Sequence, residues 1–141
     1  MAEAILRHLG APRFRAISAG SKPAGYIHVL VGDALKAVNV PLNSDQTSKS
    51  WDTVAGEALD VVITLCDAAA GETCPVWAGA PIRAHWSLPD PAHHPGTDQD
   101  RIEFATRVAQ RLRTKIEGLM SLDWSADRKE LQRRLQFLGE I

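Results

Sequence analysis

The stretch that decides the fold is VVITLC, residues 61–66, an unbroken run of β-branched and apolar residues that ends at a cysteine. A short continuous run of this kind, without polar alternation, predicts a strand buried on both faces inside a parallel sheet that helices cover. In open α/β sheets ligands bind beyond the carboxyl ends of the strands. Cys66 follows the predicted strand directly, so we expect it at the edge of the sheet where chemistry takes place.

Helical patterns lie on both sides of this strand. Ala2, Ile5, Leu6 and Leu9 share one helix face, and longer stripes run from Ile27 to Val38 and from Ile102 to Leu119. A last helix, with Ser125 as its N-cap, would carry Leu131, Leu135 and Leu138, and Ser50 would cap a short helix over residues 51–58. Weaker strand patterns cover residues 13–19 and 82–86. The sequence therefore predicts an α/β fold, a parallel sheet flanked by helices, whose first helix has no strand leading into it.

Composition limits the classes of partner. The chain has 141 residues, 45% of them hydrophobic, which is enough for one compact core. Sixteen basic residues against 17 acidic ones give a net charge of -1, which provides no electrostatic argument for nucleic acid or an anionic membrane. No apolar run approaches the roughly 18 residues that span a bilayer, and the start has no basic leader. We expect a cytoplasmic protein that binds neither nucleic acid nor membrane.

The chain has two cysteines, Cys66 and Cys74, separated by the small, polar segment DAAAGET. Two cysteines are too few for a secreted disulfide scaffold, and the number fits a protein of a reducing compartment. In such a compartment a disulfide is usually catalytic or redox-sensing. The alternative is that Cys66 is an ordinary core thiol and Cys74 a chance loop residue. The spacing is not that of a zinc site, and neither His85 nor the His93 and His94 pair completes a ligand set, so we expect no metal and no cofactor.

Asp90 lies in the densest turn signal of the chain, LPDPAHHPGT at residues 88–97. A carboxyl group after the last strand faces the carboxyl edge of the sheet and could act as a general acid, or it could belong to an ordinary Asp-Pro turn. Lys22 and Lys49 either attract an oxyanion or are solvated surface charges. No phosphate-binding glycine loop and no nucleophile elbow is present.

Several of these segments together resemble the thioredoxin-coupled arsenate reductases, which share the low-molecular-weight protein tyrosine phosphatase fold. The most specific matches are VVITLCDAAAGETCPVW at residues 61–77 and RAHWSLPDPA at 83–92. SAGSKPAG at 18–25 and TSKSWD at 47–52 are similar to the second strand and a later segment of that family, and MAEAILRHL to the helix after its phosphate-binding loop. The resemblance covers residues 1 to about 120 and leaves the last twenty without a counterpart.

The resemblance implies a chemistry and a role for each residue. In that family a cysteine in a C-x5-R loop attacks arsenate, a second cysteine displaces arsenite, and a third forms a disulfide with the second that thioredoxin reduces. Cys66 matches the second cysteine, Cys74 the third, and Asp90 the aspartate that assists the leaving group. The phosphatase branch typically lacks the cysteine pair and carries an aromatic residue where this chain has Ala92, so the resemblance favours a reductase.

The family's first strand and its C-x5-R loop would precede Met1, and neither is among these 141 residues. Loss of an inner strand leaves backbone groups unpaired, at about 1–3 kcal/mol for each buried group. We therefore expect either a longer natural protein or strands that pair within or between chains, which predicts a homo-oligomer. The expected organisation is a reductase-like domain at residues 1–121 followed by a helical extension at 122–141. The alternatives to an arsenate reductase are a phosphatase relative and a non-catalytic redox-sensing or oligomeric binding module.

Overall fold

The computed structural model describes residues 1–66, 71 and 77–141. Its helices are α1 (Ala2–Gly10), α2 (Val29–Ala37), α3 (Asp98–Met120) and α4 (Arg128–Glu140), and its strands are β1 (Val61–Thr64) and β2 (Ile82–His85). Two single 3-10 turns cover Trp51–Thr53 and Pro91–His93. The strands pair in parallel, with Val61 opposite Ile82 and Thr64 opposite His85. Helices around a parallel sheet confirm the predicted α/β class.

The core lies between one face of the sheet and helices α1, α2 and α3. The apolar stripes predicted from helical spacing supply it, which confirms those helices. The side chains that define the centre of the core are all buried: Ile5, Leu30, Leu35, Ala84, Val108, Leu112 and Ile116. Val61 and Ile63 pack against the same cluster from β1. No helix in the described parts of the chain is long and apolar enough to cross a bilayer.

Helix α4 lies along the outer edge of β2. The side-chain amide of Gln136 pairs with the backbone of His85, accepting from its N–H at 3.0 Å and donating to its C=O at 3.3 Å. The indole N–H of Trp86 donates to the C=O of Leu135 at 2.7 Å. An exposed strand edge offers unpaired backbone groups to other chains. Gln136 therefore closes the edge of β2 at the position where a further strand would pair.

The closeness of this contact depends on Gly139. A Cβ at that position would lie 2.6 Å from the carbonyl oxygen of His85 and 2.9 Å from Cδ1 of Trp86. Since both partners belong to the strand end, neither can move aside easily. Glycine therefore allows the last turn of α4 to approach the sheet.

Two expectations about strands are wrong. All four residues of β1 are only half-buried, although the sequence predicted burial on both faces. Residues 14–19 form no strand: the single pairing nearby is an isolated bridge between Gly20 and Ser50. A strand is stabilised by its neighbours, and in the described chain β1 pairs only with β2. Apolar composition alone therefore overestimated both the burial and the extent of the sheet.

Two expectations about helices are also wrong in detail. The helix predicted over residues 51–58 is a single 3-10 turn, although Ser50 does cap it by accepting from the N–H of Asp52 at 3.2 Å. The cap of α4 is Asp127, which accepts from the N–H of Glu130 at 3.0 Å, and not Ser125. Ser125 instead donates to Asp123 in the turn before the helix. Serine and aspartate serve equally well as N-caps, so local composition did not distinguish them.

Candidate active site

Cys66 lies two residues beyond the end of β1, in a bend, and its side chain is exposed. The strand brings it to the carboxyl edge of the sheet, as the order of residues predicted. Cys74 lies outside the described residues. The predicted pairing of the two cysteines stays a prediction.

Asp90 is the N-cap of the 3-10 turn Pro91–His93. One carboxylate oxygen accepts from the backbone N–H of Ala92 at 2.9 Å, and the other lies 3.0 Å from Nδ1 of His93. The side chain remains 57% exposed. The carboxylate is thus part of an Asp-Pro turn and, at the same time, held in a defined orientation from two sides.

The loop that carries Asp90 is attached to helix α3. The imidazole of His94 stacks on the ring of Phe104, with centroids 4.0 Å apart and planes 7° from parallel. Arg101 Nε donates to the C=O of His94 at 3.0 Å. These contacts join the loop to the first two turns of the long helix, so the position of Asp90 is set by helix α3 as well as by the loop.

The start of α3 is itself well capped. Thr97 and Asp100 form a reciprocal capping box: the Thr97 hydroxyl accepts from the N–H of Asp100 at 3.2 Å, and the N–H of Thr97 donates to the Asp100 carboxylate at 2.7 Å. The backbone N–H and then the hydroxyl of Thr97 lower the pKa of Asp100 by donating to its carboxylate. The helix end nearest the Asp90 loop is therefore well ordered.

A pocket of about 190 Å³ brings Cys66 and Asp90 together. Its walls come from the start of α1, the end of β1, the Asp90 loop and the middle of α3. Apart from the two candidate residues, the described side chains that line it are apolar: Met1, Ala2, Leu65, Leu88, Pro89, Pro91, Val108 and Leu112. A thiol and a carboxyl group thus share a small cleft at the carboxyl edge of the sheet, beside a helix N-terminus.

The other candidates lie elsewhere. Lys22 is exposed, and Lys49 donates to the backbone of Thr47 at 3.4 Å, and neither lines the pocket. His85, at the end of β2, has Nδ1 2.7 Å from the hydroxyl of Thr64 on the neighbouring strand. The described residues contain no group of three or more histidine, cysteine or acidic side chains that could hold a metal ion.

Sequence reasoning missed two residues at this edge. His93, which contacts the Asp90 carboxylate, follows it by three positions, and that spacing was a usable signal because one turn of a 3-10 helix aligns residues three apart. Gln136 contacts His85 from 51 positions further along the chain. Nothing local in the sequence indicates such a long-range contact.

Comparison with known proteins agrees with this geometry. The family model described as low molecular weight phosphotyrosine protein phosphatase matches residues 1–136, which include most of α4. Arsenate reductases of Bacillus subtilis and Shouchella clausii are 30% and 34% identical over 117 and 119 residues, with 83% of this chain and 82% of each relative aligned. An arsenate reductase of Halalkalibacterium halodurans is 33% identical over 84 residues, and the chain spans only 59% of its length.

A solved structure described as an arsenate reductase in the reduced state has a similar fold. It superposes with a TM-score of 0.67 over 85% of each chain, at 24% sequence identity. At that level of identity the similarity establishes the arrangement of helices and strands.

Proposed function

Because the chain belongs to the low molecular weight phosphotyrosine protein phosphatase family and several of its relatives are arsenate reductases, we propose that it is an arsenate reductase-like protein. We assign to it the final, dithiol part of the reduction, carried by Cys66 and Cys74. The observation that best supports this assignment is the pocket at the carboxyl edge of the sheet, which the exposed Cys66 and Asp90 both line.

The proposed reaction balances as a two-electron transfer. A cysteine outside this sequence holds the arsenic, and the thiolate of Cys66 attacks that cysteine's sulfur. The sulfur–arsenic bond breaks and its electron pair stays with arsenic, which is reduced from the pentavalent to the trivalent state. Cys74 then attacks the sulfur of Cys66, the first cysteine leaves as a thiolate, and the Cys66–Cys74 disulfide remains.

Asp90 is proposed to donate a proton to the oxygen that leaves arsenic. Its neighbours support this role geometrically, because Ala92 and His93 fix the carboxyl group from two sides at 2.9 and 3.0 Å. A proton donor is effective only within hydrogen-bonding distance of the departing atom in a defined orientation.

The disulfide product requires a dithiol reductant, for which a thioredoxin-like protein in the cytoplasm is the proposed partner. The first test therefore follows the disulfide half of the reaction, which needs only the two cysteines present. The oxidised chain is mixed with thioredoxin, thioredoxin reductase and NADPH, and NADPH consumption is recorded. One NADPH is expected per chain, and none for Cys66→Ser or Cys74→Ser treated in the same way.

The second test measures thioredoxin-dependent formation of arsenite from arsenate once the C-x5-R segment is supplied, because these 141 residues do not contain it. Turnover that is unaffected by Cys66→Ser would exclude the proposed role of this cysteine. An absence of any Cys66–Cys74 disulfide after mild oxidation, measured by mass spectrometry of the alkylated protein, would contradict the redox assignment as a whole, because Cys66 would then be an exposed thiol without a redox role.

A phosphatase is the second candidate, since the matching family model describes phosphatases. A phosphatase uses the C-x5-R loop and does not need Cys74. These 141 residues contain no C-x5-R loop, so we expect hydrolysis of an aryl phosphate only when a segment with that loop is supplied. Hydrolysis that survives Cys74→Ser would favour the phosphatase.

The homo-oligomer also stays a proposal, supported by the single strand neighbour of β1 in the described chain. Light scattering at micromolar concentration tests it, and a monomeric mass contradicts it.

A further inference from the structure

Three side chains connect helix α4 to the strand end that carries Cys66. Gln136 holds the backbone N–H and C=O of His85, at 3.0 and 3.3 Å. The imidazole of His85 reaches across to the neighbouring strand, where its Nδ1 lies 2.7 Å from the hydroxyl of Thr64. Thr64 is the last residue of β1, two positions before Cys66.

The strand register explains why Thr64 and His85 meet. They lie directly opposite each other at the ends of two parallel strands. Side chains alternate between the faces of a strand, and Val61 and Ile63 pack against the core. Thr64 is therefore on the opposite face, away from that core, and its bond to His85 joins the two strand ends at the point where the chain turns towards Cys66.

We propose that Thr64, His85 and Gln136 are positioning residues for Cys66, which fix the end of β1 and so favour closure of the Cys66–Cys74 disulfide. This inference rests on the proposed redox function. Closing a disulfide requires both sulfurs to be ordered, and the entropy lost on ordering opposes closure. A strand end that is already held by hydrogen bonds in the dithiol state has less freedom to lose.

Removing one of these hydrogen bonds affects the two redox states differently. In the dithiol, the end of β1 becomes free to fray, and the entropy gained offsets part of the lost hydrogen bond. In the disulfide, the covalent bond keeps Cys66 ordered whether or not the hydrogen bond is present. The equilibrium then shifts towards the dithiol, and the net strength of one hydrogen bond sets the limit at about two- to tenfold.

The test is the equilibrium of the pair with dithiothreitol. The two protein thiols react with oxidised dithiothreitol to give the protein disulfide and reduced dithiothreitol: two electrons and two protons pass from the cysteines to the two sulfurs of the reagent. The fraction of disulfide at a series of reagent ratios, measured after acid quenching and alkylation, gives the equilibrium constant at one fixed pH.

Four variants separate positioning from general stability. Thr64→Val removes the hydroxyl and keeps the shape, and should lower the constant at least twofold, whereas Thr64→Ser should restore it. Gln136→Leu should also lower the equilibrium constant. Gln132→Leu is the matched control, because Gln132 is an exposed residue one turn earlier on the same helix, and it should leave the constant unchanged.

A constant within 1.5-fold of the wild-type value, or above it, for both Thr64→Val and Gln136→Leu would overturn the inference. If Thr64→Val does not fold, Gln136→Leu decides alone. If the wild-type chain forms no Cys66–Cys74 disulfide at any reagent ratio, the proposed function has failed, and that outcome is distinct from a wild-type disulfide that the substitutions leave unaffected.

Discussion

Replacement of Lys115 by methionine is expected to destabilise the whole fold through the end of helix α4. Lys115 projects from α3 and is fully buried. Its ammonium group donates to three backbone oxygens at the C-terminal end of α4: those of Leu138 at 2.8 Å, Gly139 at 2.9 Å and Ile141 at 2.8 Å. The last carbonyls of a helix have no partners within the helix and carry partial negative charge, so a buried cation is a well-matched cap.

The magnitude follows from these bonds and from the cost of burying the charge. Three hydrogen bonds at about 0.5–1.5 kcal/mol each would contribute roughly 1.5–4.5 kcal/mol. Desolvation of the ammonium group, with a smaller effect from Arg111, lowers the pKa of Lys115, and this cost offsets part of the gain. Methionine fills nearly the same volume without a donor, so we expect a loss of about 2–3 kcal/mol in the free energy of unfolding.

Urea unfolding followed by tryptophan fluorescence measures this loss. The matched control is Lys129→Met, which removes an exposed lysine from the first turn of the same helix and should change the free energy of unfolding by less than about 0.5 kcal/mol. A Lys115→Met protein as stable as the control would refute the claim that the buried ammonium group holds the end of α4.

Three further substitutions test other contacts. Gly139→Ala places a methyl group 2.6 Å from the carbonyl oxygen of His85 and should cost about 1–3 kcal/mol in urea unfolding, whereas Gly32→Ala, in open space on α2, should not destabilise. Thr97→Val removes the cap of α3 and should cost about 1 kcal/mol, seen as a lower melting temperature. Two arginine side chains lower the pKa of Glu130 from 4.5 to about 2, so its stabilising effect is present above pH 4.5 and is lost as the pH falls towards 2. Glu130→Gln should therefore lose less stability than the wild type between pH 6 and pH 3.

The order and type of most elements could be predicted because their side chains carry a periodic signal. The apolar stripe from Ile102 to Leu119 predicted helix α3, and the apolar run from Val61 to Leu65 predicted strand β1. Burial of β1 could not be predicted in the same way, because it depends on how many strands lie beside it. The strand expected at residues 13–19 failed for that reason: alternation of side chains describes a possible strand face, and a partner is needed to complete it.

The candidate site was predictable where chemistry and position coincide in the sequence. Cys66 follows β1 and Asp90 follows β2, and parallel strands bring both to one edge. Lys115 and Gln136 gave no such signal. A lysine in a helix is usually a solvated surface charge. Lys115 is buried because the C-terminal end of α4 lies against it, and only the packing of α3 and α4 determines that position.

The effects of Lys115 and Gln136 allow a stricter test of how α4 acts. Both residues hold this helix, one at its C-terminal end and the other at the sheet edge. If Gln136→Leu shifted the disulfide equilibrium only because α4 becomes loose, Lys115→Met, which should destabilise the helix at least as much, would shift it equally. If the link through His85 and Thr64 is responsible, Lys115→Met lowers the free energy of unfolding and leaves the equilibrium constant unchanged.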